Sequence, residues 1–98
     1  MTYMSEYPAL QNFLSAYFHQ DWAMEHDTPG AVAEYYRDSE KPELVAGTRR
    51  ELTQLLAAGH DEDALGARVR ALGAEYDPTA NGGTWRAWLE DVSARLEA

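Results

Sequence analysis

Residues 84–96 read TWRAWLEDVSARL and carry the clearest helical pattern of the chain. The large apolar side chains of this stretch recur at i, i+3, i+4, i+7 and i+11, and they are Trp85, Trp88, Leu89, Val92 and Leu96. This spacing places all of them on one face of an α-helix. The hydroxyl of Thr84 can cap the free N–H groups of such a helix. The stretch therefore predicts an amphipathic helix with one buried face.

Four further segments show helical periodicity, and nothing in the chain shows a sustained strand pattern. They cover residues 8–18, 28–39, 42–58 and 60–73. Thr28 followed by Pro29 is a typical helix start, because threonine caps the N-terminus and proline suits the first helical position. We therefore predict an all-α fold, a single-domain bundle of about five short helices over residues 1–98.

The connections between these helices are less regular. Residues 19–26 either extend the first helix or form a turn after it, and residues 76–83 are rich in turn-forming residues. Gly66 lies inside a predicted helix, where glycine costs about 1 kcal/mol relative to alanine. Its position indicates a close crossing with another helix.

The composition excludes several classes of protein. The 98 residues include 17 acidic and 8 basic side chains, a formal net charge of −9, and no cysteine. This balance argues against a nucleic-acid binder of the usual basic kind, against docking on an anionic membrane and against any thiolate site. No secretory signal or apolar run near the ~20 residues of a membrane span is visible. We expect a cytoplasmic monomer with no nucleic-acid or membrane partner.

Residues 17–26, YFHQDWAMEH, are the densest mixture of aromatic and polar side chains. Four of them are permitted metal ligands: His19, Asp21, Glu25 and His26. On a helix the two histidines would lie about 10 Å apart along the axis, too far to share one ion. A structural interpretation is favoured, in which Phe18 and Trp22 belong to the core. On this structural interpretation, Asp21 caps the next turn or accepts a hydrogen bond from the indole N–H of a buried tryptophan. His19 is then a partly buried imidazole with one backbone partner.

No arrangement of side chains in the sequence is typical of catalysis. The serines stand outside any nucleophile context, and the two glycines at 82 and 83 lack the lysine of a phosphate-binding loop. We predict no catalytic residue, no metal and no cofactor.

Net negative charge is concentrated in the first half of the chain: residues 1–45 carry eight acidic residues against two basic ones, and most of these acids lie between Asp21 and Glu43. Aromatic residues lie among them, and aromatic side chains rimmed by charge are typical of protein interfaces. Solubility alone is an equally open explanation of these charges. On the interface interpretation the partner-binding residues are Asp21, Glu25, Asp27, Glu34, Tyr35 and Asp38.

The segment YFHQDW at residues 17–22 resembles a motif of the small immunity proteins of bacterial contact-dependent growth-inhibition systems. Members of that family continue with an acidic stretch, here residues 25–27, and have a late aromatic-Asp-Pro turn, here residues 76–78. They close with a Gly-x-x-aromatic-x-x-Trp-Leu pattern, matched by residues 82–89. The residues that carry this resemblance are Tyr17, Phe18, His19, Asp21, Trp22, Trp85 and Trp88.

The resemblance implies a small helical bundle that binds the toxic C-terminal domain delivered by a neighbouring cell and blocks its active site. In several such systems the toxin is a nuclease, and the resemblance implies that one related immunity protein is expected to neutralise a toxin with a ribonuclease-A-like fold. A nuclease binds phosphate through a basic cleft, which a protein of charge −9 complements. On this hypothesis the acids occupy phosphate-binding positions on a basic cognate toxin domain, and the chain is not an enzyme.

Three other functions remain open from the sequence. A small metal-dependent hydrolase would use the segment from His19 to His26. An acidic mimic of nucleic acid would bind several unrelated basic proteins. A helical adaptor whose acidity is incidental would keep its binding at high salt.

Overall fold

The computed structural model describes residues 6–97, in which it places six α-helices and one 3₁₀ helix. They are α1 (Pro8–Tyr17), α2 (Trp22–Glu25), α3 (Pro29–Ser39), α4 (Pro42–Ala57), α5 (Glu62–Ala71), the 3₁₀ helix (Pro78–Asn81) and α6 (Trp85–Arg95). Five of the α-helices have 10 to 16 residues, and the described range contains no strand. The predicted all-α bundle of about five short helices is confirmed. Of the predicted domain, residues 1–5 and 98 lie outside the described residues.

Helix starts follow the local signals in the sequence. The Thr28 hydroxyl accepts the backbone N–H of Ala31 at 3.1 Å at the start of α3. The Thr84 hydroxyl accepts the N–H of Ala87 at 3.0 Å at the start of α6. Asp61 caps α5 in the same way. Each contact satisfies a backbone donor that the helix itself leaves free.

Two helix N-termini, those of α1 and α6, receive a glutamate from a different helix. Glu51 of α4 accepts the backbone N–H of Leu10 in α1 at 2.9 Å. Glu62 of α5 accepts the N–H groups of Trp85 and Arg86 in α6 at 2.8 and 3.0 Å. A carboxylate at a helix N-terminus satisfies free donors and meets the positive end of the helix dipole. These contacts fasten α1 to α4 and α5 to α6.

The core is centred on α6, which packs against α3, α4 and α5. The fully buried ring of Phe18 belongs to this core, with its centroid 5.6 Å from that of Phe13 and 5.1 Å from that of Trp88. Phe13 also packs on Tyr36, with the ring centroids 4.4 Å apart. The buried Tyr36 and Thr48 hydroxyls share a hydrogen bond of 2.8 Å, so neither is left unsatisfied. The predicted stripe of α6 is buried: Trp85, Trp88, Leu89, Val92 and Leu96.

Gly66 marks the close helix crossing that the sequence predicts. A Cβ atom at this position would lie 2.5 Å from Nε1 of Trp85. The indole of Trp85 can therefore rest on the backbone of α5 only because residue 66 has no side chain. On the same indole, the Arg70 guanidinium lies 5.2 Å from the ring centroid.

The two irregular connections are each more ordered than the sequence predicts. Between α1 and α3 the chain turns at residues 18–21 and then forms the single-turn helix α2, so the first helix is not extended. The 3₁₀ helix interrupts the turn-rich connection, and its start is fixed by Asp77, whose carboxylate accepts the Thr79 N–H at 2.9 Å. No helix in residues 6–97 is both long and apolar enough to span a bilayer.

Candidate interaction surface

The aromatic and polar segment at residues 17–26 contains the helix α2, which lies at the surface. None of the four residues of α2 is buried. Trp22, at its start, packs on Tyr76 with ring centroids 5.3 Å apart, and His26, just after its end, packs on Tyr35 at 5.1 Å. Aromatic contacts therefore hold the segment at both ends of α2, while residues 23–25 are exposed to solvent.

Trp22 is less buried than the predicted core position requires. Phe18 is fully buried, whereas Trp22 is only half-buried and lies against the edge of the core, 6.0 Å from the Phe18 ring. The physical reason is the turn at residues 18–21, which ends α1 before its apolar face can continue through Trp22.

Tyr17 joins α1 to the end of α3. Its hydroxyl donates to the Glu40 carboxylate at 2.8 Å. Burial, and next the hydrogen bond to that carboxylate, raise the pKa of Tyr17 from its ordinary 10.0 to about 12. A phenol held in this way is a structural hydrogen-bond donor at neutral pH.

His19 and Asp21 are placed differently from each other. The half-buried His19 has one backbone partner, as predicted, because its Nδ1 accepts the backbone N–H of Asp21 at 3.1 Å. Its Nε2 lies 3.4 Å from a carboxylate oxygen of Glu25. The predicted capping role of Asp21 is wrong: its exposed side chain makes no capping hydrogen bond at the start of α2. The buried indole N–H of Trp88 has no partner in the described structure, so Asp21 does not serve an indole there either.

The geometry does not assemble the metal ligands considered from the sequence. Within the described residues, no group of three His, Asp or Glu side chains is placed to hold a metal ion. His19 and Glu25 are close together, but His26 is turned onto the ring of Tyr35. The structure thus gives no support to a metal-dependent hydrolase at this segment.

The structure divides the six predicted partner-binding residues into two groups. Glu34 forms an ion pair with Arg95, and Asp38 pairs with Arg37 at 3.0 Å. The hydrogen bond from Arg37 lowers the pKa of the exposed Asp38 carboxyl. The second group is exposed and has no arginine partner within residues 6–97. Its acids are Asp21, Glu25 and Asp27, and Tyr35 belongs with them because its side chain is 53% exposed.

Most other acids already have partners inside the protein. Some of these carboxylates cap helices or turns, some pair with arginines, and one accepts the Tyr17 hydroxyl. Besides Glu34 and Asp38, the acids with such partners are Glu40, Glu51, Asp61, Glu62, Asp77, Asp91 and Glu97. Sequence reasoning missed the long-range roles of Glu51 and Glu62, because the contacting residues are far apart along the chain. An open pocket of about 400 Å³ next to Trp85 is lined by Glu62 and Arg70. The Glu62 carboxylate is already hydrogen-bonded to α6, and the Arg70 guanidinium is paired with Asp77.

Together these features define a small acidic all-α protein whose helix α2 buries none of its residues. A profile of the family described as CdiI immunity protein matches residues 6–96. The chain therefore belongs to the CdiI immunity protein family, as the resemblance at residues 17–22 and 76–89 indicated. Members of this family are immunity proteins of contact-dependent growth-inhibition systems; they act as inhibitors and are not enzymes.

A solved structure shares the fold. A chain of the crystal structure of the CdiA-CT/CdiI complex from Y. kristensenii 33638 superposes with a TM-score of 0.87 at 22% sequence identity. The match covers 95% of this chain and 100% of that chain. A search of curated proteins gave no match.

Proposed function

We propose that this chain protects its cell by binding the toxic C-terminal domain of a contact-dependent growth-inhibition toxin, and that this domain is a nuclease. The observation that carries the proposal is the family match over residues 6–96. The shared fold with a chain from a toxin–immunity complex supports a protein partner. The chain acts as a monomer in the cytoplasm, where a delivered nuclease meets its substrate.

The charge of the chain supports the nuclease part of the proposal. A nuclease binds the phosphate backbone through basic side chains, and the net charge of −9 attracts such a cleft over long range. Carboxylates on the immunity protein occupy the positions that phosphates would take, with Tyr35 adding apolar contact area. An interface of the standard ~1,600 Å² is within reach of a domain of this size.

Co-expression tests the proposal. The toxin domain encoded next to this chain is induced alone, with this chain, or with an immunity protein of another toxin. We expect survival and co-purification of a complex only with this chain. Cells that die despite normal levels of this chain, with no complex recovered, would refute the proposal.

A binding panel separates this function from the two remaining alternatives. A mimic of nucleic acid binds unrelated basic proteins as well as the toxin, whereas an immunity protein prefers its own toxin domain. An adaptor whose acidity is incidental binds equally well at low and high salt, whereas the proposed interface weakens as salt rises.

A further inference from the structure

The helix α2 differs from the other α-helices of residues 6–97 in its exposure to solvent. It buries none of its residues, while every other α-helix in this range buries at least three. Met24 in its middle is 85% exposed, the highest value among the large hydrophobic side chains of the described chain. An unbranched, polarisable side chain in this position adapts readily to the surface of a partner.

The chain brings a second segment against α2. The backbone N–H of Glu75 donates to the carbonyl of Phe18 at 2.8 Å. The next residue, Tyr76, packs edge-on against Trp22, with an interplanar angle of 87°. Glu75, which the sequence did not single out, therefore lies on the same edge of the molecule as Asp21.

These contacts define one surface, named here the α2 surface. Its carboxylates and its exposed or half-exposed apolar side chains are Asp21, Trp22, Met24, Glu25, Glu75 and Tyr76.

The carboxylates of the α2 surface are not neutralised by the protein itself. Within residues 6–97, Asp21 and Glu75 have no ion pair, and Glu25 faces only the imidazole of His19. The first 36 residues of the chain contain no lysine or arginine. Glu34 and Asp38, by contrast, each hold a guanidinium group. Of these two helices, α2 therefore offers the carboxylates that no guanidinium neutralises, whereas Glu34 and Asp38 of α3 are paired.

We propose that the α2 surface is the primary contact for a basic cleft of the toxin domain. Lysine or arginine side chains of the toxin pair with Asp21, Glu25 and Glu75. The half-exposed rings of Trp22 and Tyr76 receive the same cations on their faces, and Met24 fills the centre of the contact. This inference rests on the proposed function and assigns it to one surface.

A charge-reversal pair of variants tests this assignment. The first variant carries Asp21→Lys, Glu25→Lys and Glu75→Lys. The control carries Glu43→Lys, Asp63→Lys and Glu90→Lys, at exposed acids on α4, α5 and α6. Both variants change the net charge by the same amount, so long-range attraction to the toxin is reduced equally. Circular dichroism and thermal unfolding of each verify that the helices are intact.

We expect the first variant to raise the Kd for the toxin domain at least about tenfold and the control less than about threefold. Met24→Ala is expected to raise the Kd about fivefold, and Met24→Leu to leave it nearly unchanged. Equal losses in the two charge variants, or a larger loss in the control, would overturn the assignment while wild-type binding leaves the proposed function standing. A wild-type chain that does not bind the toxin domain overturns both.

A second comparison separates α2 from α3. The double variant Glu34→Gln and Asp38→Asn removes the paired acids of α3 without introducing positive charge. We expect it to raise the Kd less than the double variant Asp21→Asn and Glu25→Gln, which removes the same number of charges. The reverse order would place the primary contact on α3 and overturn the inference.

Discussion

The Glu62 carboxylate accepts the backbone N–H of Trp85 at 2.8 Å, across 23 residues of sequence, so the first turn of α5 caps the N-terminus of α6. The N–H of Arg86 donates to the second oxygen of the same carboxylate at 3.0 Å. Thr84 caps α6 from within its own sequence. The helix that carries the buried Trp85 and Trp88 is thus fixed at its start by a local and a distant acceptor.

We expect Glu62→Ala to lower the free energy of unfolding by about 1–2 kcal/mol, because two backbone donors lose a charged acceptor. Chemical denaturation followed by tryptophan fluorescence measures the change. The neighbouring exposed Asp63 serves as control, since Asp63→Ala is expected to change stability by less than about 0.5 kcal/mol. Equal effects of the two substitutions would show that Glu62 contributes only charge near α5.

Gly66→Ala is expected to destabilise the protein by about 1–3 kcal/mol, although alanine is the better helix former. The added Cβ would lie 2.5 Å from Trp85 Nε1, so the indole must move. Gly47→Ala in α4 is the matched control, because its Cβ would have no neighbour closer than 3.7 Å. We expect the control to gain up to about 1 kcal/mol in stability. A stabilised Gly66→Ala variant would contradict the close packing of α5 on α6.

The Tyr17 phenol should ionise near pH 12, above its ordinary pKa of 10.0. A phenol whose pKa is higher in the folded state contributes stability below pH 10, and that stability is lost as pH rises toward 12. Ultraviolet titration of wild type and Tyr17→Phe isolates this group. The variant is expected to lose about 1 kcal/mol at pH 7 through the missing hydrogen bond to Glu40. A wild-type difference spectrum with its midpoint at pH 10 would refute the buried contact.

Asp77 should titrate below its ordinary pKa of 3.8. Hydrogen bonds from the Thr79 side chain and backbone, and then the Arg70 charge, lower the pKa of this carboxyl. A carboxyl with a lowered pKa stabilises the folded state above pH 3.8, and this contribution disappears as pH falls through its folded pKa. NMR titration of the carboxyl carbon measures it directly. We expect the free energy of unfolding of Asp77→Asn to fall less steeply than that of wild type as the pH is lowered. An unchanged dependence on pH would exclude this contribution of Asp77.

The sequence predicts those parts of the fold that depend on neighbours along the chain. Thr28 and Thr84 cap helices within three residues, and Gly66 interrupts a helical stripe, so each leaves a local signal. The stripe of α6 is likewise periodic, and its burial follows from that period. The all-α fold was predictable for this reason.

The parts that were not predictable depend on residues far apart in sequence. Glu51 and Glu62 look like ordinary surface acids until the helices meet. Glu75 comes to lie beside α2 through a hydrogen bond to Phe18, 57 positions earlier in the chain. The acids selected from the sequence included Glu34 and Asp38, because local charge density does not show which carboxylates already hold an arginine.

Titration of the toxin domain with this chain is the most direct test of the central claim. Nuclease activity of a fixed amount of toxin domain is followed on RNA and on DNA as the chain is added. The account predicts that nuclease activity falls linearly with the amount of chain added and reaches zero at one chain per toxin domain. The variant with Lys at positions 21, 25 and 75 is expected to reach the same inhibition only at a large molar excess. Undiminished activity at a molar excess of the wild-type chain would contradict the account.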